Sequence, residues 1–110
     1  MATFLPIVVD SVLIATTDTV IGQPASTKSW AIAVVRFCNT DSSSRTLTLG
    51  VITGGSLDDQ HSEYKTFSLI AGSTFEYGPA YLDATQMLVA KADVASKISA
   101  RIHGIEKTPS

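Results

Sequence analysis

An all-β fold, an antiparallel β-sandwich of jelly-roll type with about eight short strands, is what this sequence predicts. Three observations carry the expectation. Runs rich in Val, Ile, Thr and Leu recur along the chain, as in "PIVVDSVLIA" and "RTLTLGVI", and such residues suit a pleated, half-buried surface. Turn formers separate these runs at regular spacing, and the last run alternates apolar and polar residues cleanly. At 110 residues, the chain fits one domain with one core, and we expect residues 1–110 to form it.

The elements follow in order. "TFLPIVVDSVLIAT" is an edge strand or an arm followed by a strand: Pro6 excludes the centre of a sheet, and residues 1–10 are the candidate N-terminal arm. A short strand at Thr19 to Ile21 runs into the turn residues Gly22, Pro24 and Ser26. From Ser29 to Asn39 nearly every residue is apolar, with Trp30, Ile32, Val34 and Cys38 on one face and Ala31, Ala33, Val35 and Phe37 on the other. Two apolar faces predict a central strand covered on both sides, or one whose outer face meets another subunit; Arg36 interrupts the first face. Residues Asn39 to Arg45 are loop formers, and Leu47, Leu49 and Val51 then alternate on one side, which reads as a β-hairpin.

"TGGSLDDQHSE", residues 53 to 63, is polar, aperiodic and glycine-rich, a long exposed loop. Strands are expected at Tyr64 to Leu69 and Thr74 to Tyr77, split by Ala71-Gly72-Ser73 and ended by Gly78-Pro79. "QMLVAKA" has the composition of a helix and the length of a strand, and we read it as a strand. In "KISARIHGI", Ile98, Ala100, Ile102 and Gly104 oppose Ser99, Arg101 and His103, a half-buried strand.

Composition narrows the function. Apolar residues make up 45% and charged residues only 16%, against about a quarter charged in soluble domains. A weakly charged surface suits a protein whose neighbours cover much of it. The formal charge is −2 and there is no basic run, so direct nucleic-acid binding is not expected. No stretch is long and apolar enough for a membrane helix. The start lacks a basic n-region and is read as mature protein. Cys38 is the single cysteine; internal disulfides and C-x-x-C metal spacing are out, and it reads as a small buried hydrophobe in a protein made in a reducing cytoplasm.

Chemistry is sparse. Asp58, Asp59, His61 and Glu63 are clustered, but their spacing matches neither a calcium loop nor a zinc motif, and a solvated loop is the expected reading. His103 follows Arg101, a cation that discourages a second positive charge. No G-x-S-x-G elbow is present, and Gly54-Gly55-Ser56 lacks the lysine of a phosphate loop. We therefore expect no enzyme, metal or cofactor. Candidate contact residues are Phe4, Leu5, Ile7 and Val8, too apolar for a loose terminus, with Trp30, Arg36, Tyr64 and Tyr81. Trp30 reads first as a core anchor. The apolar arm either closes its own core or adds to a neighbour's sheet.

One resemblance adds to this reading. Pro24, Ala25 and Lys28, then Phe37-Cys38-Asn39-Thr40, Ala71-Gly72-Ser73 and Gly104-Ile105-Glu106 match the turn-and-strand pattern of a widespread group of small tailed-bacteriophage virion proteins. The likeness runs from about Val12 to Glu106. Ser26-Thr27 stands where the group has a turn glycine, which implies a longer loop there. The resemblance implies a β-sandwich that coats or joins parts of a virion, as a capsid decoration (cement) protein or at the neck, tail or fibre. It carries no enzyme activity. The expected partners are further copies of the chain, a trimer favoured, and phage capsid or other virion proteins. A rival expectation is a carbohydrate-binding sandwich using the 53–63 loop with Tyr64, Tyr77 and Tyr81.

Overall fold

The computed structural model describes residues 3–53 and 65–108. The 54–64 segment, with Tyr64 and the carboxylate and histidine cluster, lies outside the described residues. Nine strands run through the rest: β1 (Thr3–Leu13), β2 (Thr19–Gly22), β3 (Ser29–Asn39), β4 (Arg45–Ile52), β5 (Lys65–Leu69), β6 (Thr74–Tyr77), β7 (Ala80–Leu82), β8 (Met87–Ala92) and β9 (Ile98–Thr108). They form two antiparallel sheets, β1-β9-β3-β6 with β7 also on β3, and β2-β8-β4-β5. With β6 and β7 taken as one interrupted edge of β3, this is the eight-strand jelly-roll order. The predicted all-β sandwich is the observed fold.

The inward positions of both sheets form one core. Trp30, Ile32, Val35 and Phe37 of β3 meet Leu47 and Leu49 of β4, Leu88 and Ala90 of β8, and Ile98, Ala100 and Ile102 of β9. The rings of Phe67 of β5 and Phe75 of β6 lie 4.3 Å apart, tilted by 38°, and join the two sheets, an aromatic contact that adds to simple burial. At the other edge, the register of β1 on β9 shifts between Val9 and Val12. Of the two readings of this segment, an edge strand or an arm followed by a strand, the described residues form one edge strand with a bulge.

Two expectations about β3 are corrected. Its register on β9 shifts between Ile32 and Val34, so an extra residue, Ala33, is inserted there. A one-residue insertion swaps the faces of everything beyond it: Trp30 and Ile32 point inward before the bulge, Val35 and Phe37 after it, while Ala31, Ala33 and Arg36 are exposed. The apparent second apolar face is one buried face read out of phase. Nor is Asn39 to Arg45 the turn of a hairpin, because β3 and β4 belong to different sheets and do not pair. The segment arches from one sheet to the other. Alternating strands on either side of polar residues look alike in both arrangements, and the pairing partners, β9 for β3 and β8 for β4, lie far along the chain.

The arch is fixed by Asn39, which is fully buried. Its Nδ2 donates to the Ser43 carbonyl at 2.9 Å and the Leu69 carbonyl at 3.0 Å, and its Oδ1 accepts from the Asp41 N–H at 3.0 Å. Its backbone N–H donates to the Ser73 carbonyl, and its carbonyl accepts from the Gly72 N–H. Gly72 holds a φ of 72°, a left-handed conformation that glycine adopts without steric cost. One side chain therefore ties the β3–β4 arch to the β5–β6 arch. Beside it, Arg45 pairs with Asp41 at 2.6 Å, and the guanidinium, with the Ser42 N–H, holds the Asp41 carboxyl below its ordinary value.

Candidate functional site

Strand register builds the most distinctive surface of the molecule. Pro6 of β1 lies opposite Ile105 of β9, Ile105 opposite Ala31 of β3, and Ala31 opposite Tyr81 of β7. Directly paired residues share a face, so these four side chains form one row across the five-stranded sheet. The face is the outer one, since the neighbouring row holds buried Trp30 and Leu82. Tyr81 is 61% exposed and Ile105 49%. Phe4, 62% exposed, sits one row on, opposite Lys107.

A shallow groove of about 530 Å³ follows this row, floored by Ala31, Ala33 and Gly104 and walled by Pro79, Tyr81 and Ile105. Its depth comes from small residues. A Cβ on Gly104 would lie 2.5 Å from the Ala31 carbonyl oxygen and 2.9 Å from the Ile32 Cα, so β9 and β3 approach at the bulge only because this residue is glycine. The β6–β7 turn closes in likewise: Gly78 has a φ of 136°, and a Cβ there would lie 2.9 Å from the Ala33 carbonyl oxygen.

Tyr81 also walls a second cleft of about 350 Å³, lined by Ser26, Thr27, Lys28, Ser29 and Lys107. The turn beneath it is closed by the Lys28 N–H on the Ala25 carbonyl at 2.9 Å. Lys28 also pairs with Glu106, whose carboxylate accepts from Trp30 Nε1 at 3.0 Å through one oxygen and lies 3.3 Å from Lys28 Nζ through the other. The Trp30 hydrogen bond first, and then Lys28, holds the Glu106 carboxyl below the ordinary glutamate value of 4.5. The apolar groove thus continues across Tyr81 into a cleft of hydroxyls and cations.

The remaining candidates separate. Phe4 and Leu5 are exposed, Ile7 is half-buried and packs on the core. Val8 occupies a β1 position opposite His103. Trp30 is a core residue. Arg36, exposed, bonds Glu76 at 2.7 Å and faces Arg101 across the strand pair, a charged row on the same face as the groove. Cys38 is free and half-buried. The half-buried His103 has an Nε2 that is buried without a hydrogen-bond partner. Among the described residues no cluster of His, Cys, Asp or Glu could hold a metal, and no helix is long and apolar enough to cross a membrane. Phe4 and Tyr81, singled out in the sequence, lie on this exposed outer face; Ala31, Ala33, Pro79 and Ile105 were not singled out. The signal for them was Gly104, a glycine inside an alternating strand, which marks a close approach of backbones.

No protein-family model matches the chain, and neither does any curated protein. Solved structures do match in shape. A structure of turnip yellow mosaic virus aligns with a TM-score of 0.63 at 13% identity, covering 100% of this chain and 81% of that one. A structure of Bacillus endospore appendages, described as disulfide-linked pili, aligns at 0.56 and 13% identity, covering 99% and 89%. A dimer of the tobacco streak virus coat protein aligns at 0.51 and 11% identity, covering 99% and 87%. At these identities the likeness is one of fold.

Proposed function

We propose that this chain is a virion structural protein, a non-enzymatic building block that works by self-association, and that the particle is a tailed bacteriophage. The observation that carries the reading is the outward apolar row Pro6–Ile105–Ala31–Tyr81 on a jelly-roll sheet. Such a row gains from burial, at about 25 cal/mol per Å² of apolar surface removed from water, and symmetry repeats the gain at every copy. The weakly charged surface, 16% charged residues overall, and the structural likeness to a plant-virus coat protein support it. The role is capsid decoration: residues 1–110 form one sandwich domain that joins as a homo-oligomer, a trimer, and clamps capsid subunits in the virion, after synthesis in the host bacterial cytoplasm. Phe4, Leu5, Ile7, Val8, Arg36, Tyr64 and Tyr81 are the contact residues proposed from the sequence, and of these Phe4 and Tyr81 lie on the face of that row.

Light scattering on the purified protein, followed by co-sedimentation with empty capsids, tests this. A trimer that sediments with capsids is the expected result; a monomer left in the supernatant overturns the decoration role. A second reading, a neck, tail or fibre component, is favoured by the likeness to a spore pilus, which covers 89% of that subunit. Ring-sized or filamentous assemblies that ignore capsids would select it.

A further inference from the structure

Beyond Tyr81, hydrogen-bond donors collect without acceptors to match. The second cleft, of about 350 Å³, has two lysines, Lys28 and Lys107, and three hydroxyl side chains, Ser26, Thr27 and Ser29, in its walls. Register sets Ser29 directly opposite Lys107, so their side chains share the outer face. Ser26 and Thr27 form the middle of the turn that the Lys28 N–H closes on the Ala25 carbonyl, and their own N–H groups have no backbone acceptor among the described residues. Unpaired N–H groups in succession on a turn are a seat for anions.

The negative charges nearby are already engaged. Glu106 uses both carboxylate oxygens, one on Trp30 and the other on Lys28. Asp83, beside the lining residue Ala84, gives its Oδ1 to the Thr85 N–H at 2.8 Å and the Thr85 hydroxyl at 2.6 Å. The exposed Lys107 ammonium makes no ion pair among the described residues.

We infer that this cleft binds a small oxyanion, a phosphate or carboxylate group, carried on an apolar body that rests against Tyr81. Lys107 supplies the charge, as a point charge that needs no fixed fork, and Ser29 and the Ser26–Thr27 turn supply hydrogen bonds. Lys28, balanced by Glu106, adds donors more than net charge. Tyr81, 61% exposed, divides the cleft from the apolar groove of Ile105 and Pro79. A ligand with its anion beside Lys107 therefore has its apolar part on the tyrosine ring, and apolar walls with a few placed polar groups are how small ligands are held. The site lies within one copy and stands whether or not the chain associates.

Amide chemical-shift titration of the isotope-labelled protein at constant ionic strength tests this, with inorganic phosphate, phenyl phosphate and benzoate as probes. Saturable shifts confined to residues 26–29, 81, 84 and 107 are expected, with phenyl phosphate bound more tightly than inorganic phosphate. The tighter of phenyl phosphate and benzoate identifies the preferred anion. Lys107→Ala should raise every dissociation constant about fivefold or more. Tyr81→Ala should leave inorganic phosphate unchanged and remove the advantage of phenyl phosphate. Lys97→Ala, at an exposed lysine just before the other end of β9, should change nothing. Both site variants replace exposed side chains, and unchanged spectra elsewhere report that they fold. Shifts that never saturate, Lys107→Ala binding as the wild type does, or an equal loss in Lys97→Ala overturns the site. A phenyl advantage that survives Tyr81→Ala overturns the role of the ring.

Discussion

The two ends of β3 solve opposite problems. At its C-terminal end, Asn39 turns every polar group it has inward and satisfies each one, so that two arches hang on a single buried amide. At its N-terminal end, Ala31 and Ala33 are small, and the apolar side chains around them, Ile105 and Tyr81, face solvent. The first arrangement specifies how one chain folds, because an unpaired buried group there is expensive. The second leaves apolar surface uncovered, which a monomer gains nothing from. The lesson is that burial on one strand can be spent on folding at one end and reserved for contact at the other.

Substitutions can break this contrast. The largest effect is expected at Asn39. Asn39→Leu strands the buried Leu69 carbonyl and frees both arches, and should cost about 2–4 kcal/mol of stability, read from the urea midpoint, with self-association falling only as the fold is lost. Gly104→Ala places a methyl against the Ala31 carbonyl and should cost about 1–3 kcal/mol. The β9–β3 approach at the bulge must then loosen, read as a lower urea midpoint.

The next prediction concerns pH. Glu106 has a lowered carboxyl pKa when folded, so its contacts with Trp30 and Lys28 stabilise the fold fully above 4.5 and lose that contribution as pH falls through the lower folded value. Glu106→Gln should flatten this part of the urea-midpoint profile against pH, whereas an unchanged slope would show that the Trp30 and Lys28 contacts contribute nothing. The smallest effect belongs to the charged row. Arg36 and Glu76 are each 55% exposed, and Arg36→Ala should change stability by about 0.5 kcal/mol or less. A larger change in assembly than in stability would extend the contact face from the groove into that row.

Much of the fold was written locally. The alternation of Ile98, Ala100 and Ile102 placed the inner face of β9, and Thr74–Tyr77 was read with its observed bounds. What escaped depended on distant partners. The bulge at Ala33 leaves no mark in β3 itself, where Ala, Ile and Val fit either phase; it becomes visible only against β9. β7 is three residues long, too short for any period to register. The arch was taken for a hairpin because Asn39 resembles any turn asparagine until the Leu69 carbonyl, thirty residues on, comes to meet it. The groove was hidden for the same reason: its four-residue row comes from four strands, and each contributes one unremarkable side chain.

The pairing of β1 with β9 places Thr3 opposite Thr108, so the described chain nearly returns to its own start. Partner residues in such a pair lie about 5 Å apart. A short linker between Thr3 and Thr108 could therefore close the sandwich into a circle. In the natural order, the β1–β9 ladder demands the longest loop closure in the molecule, which slows folding. Rewired in this way, the same ladder becomes a neighbouring hairpin, and the protein should reach the same architecture by a faster route.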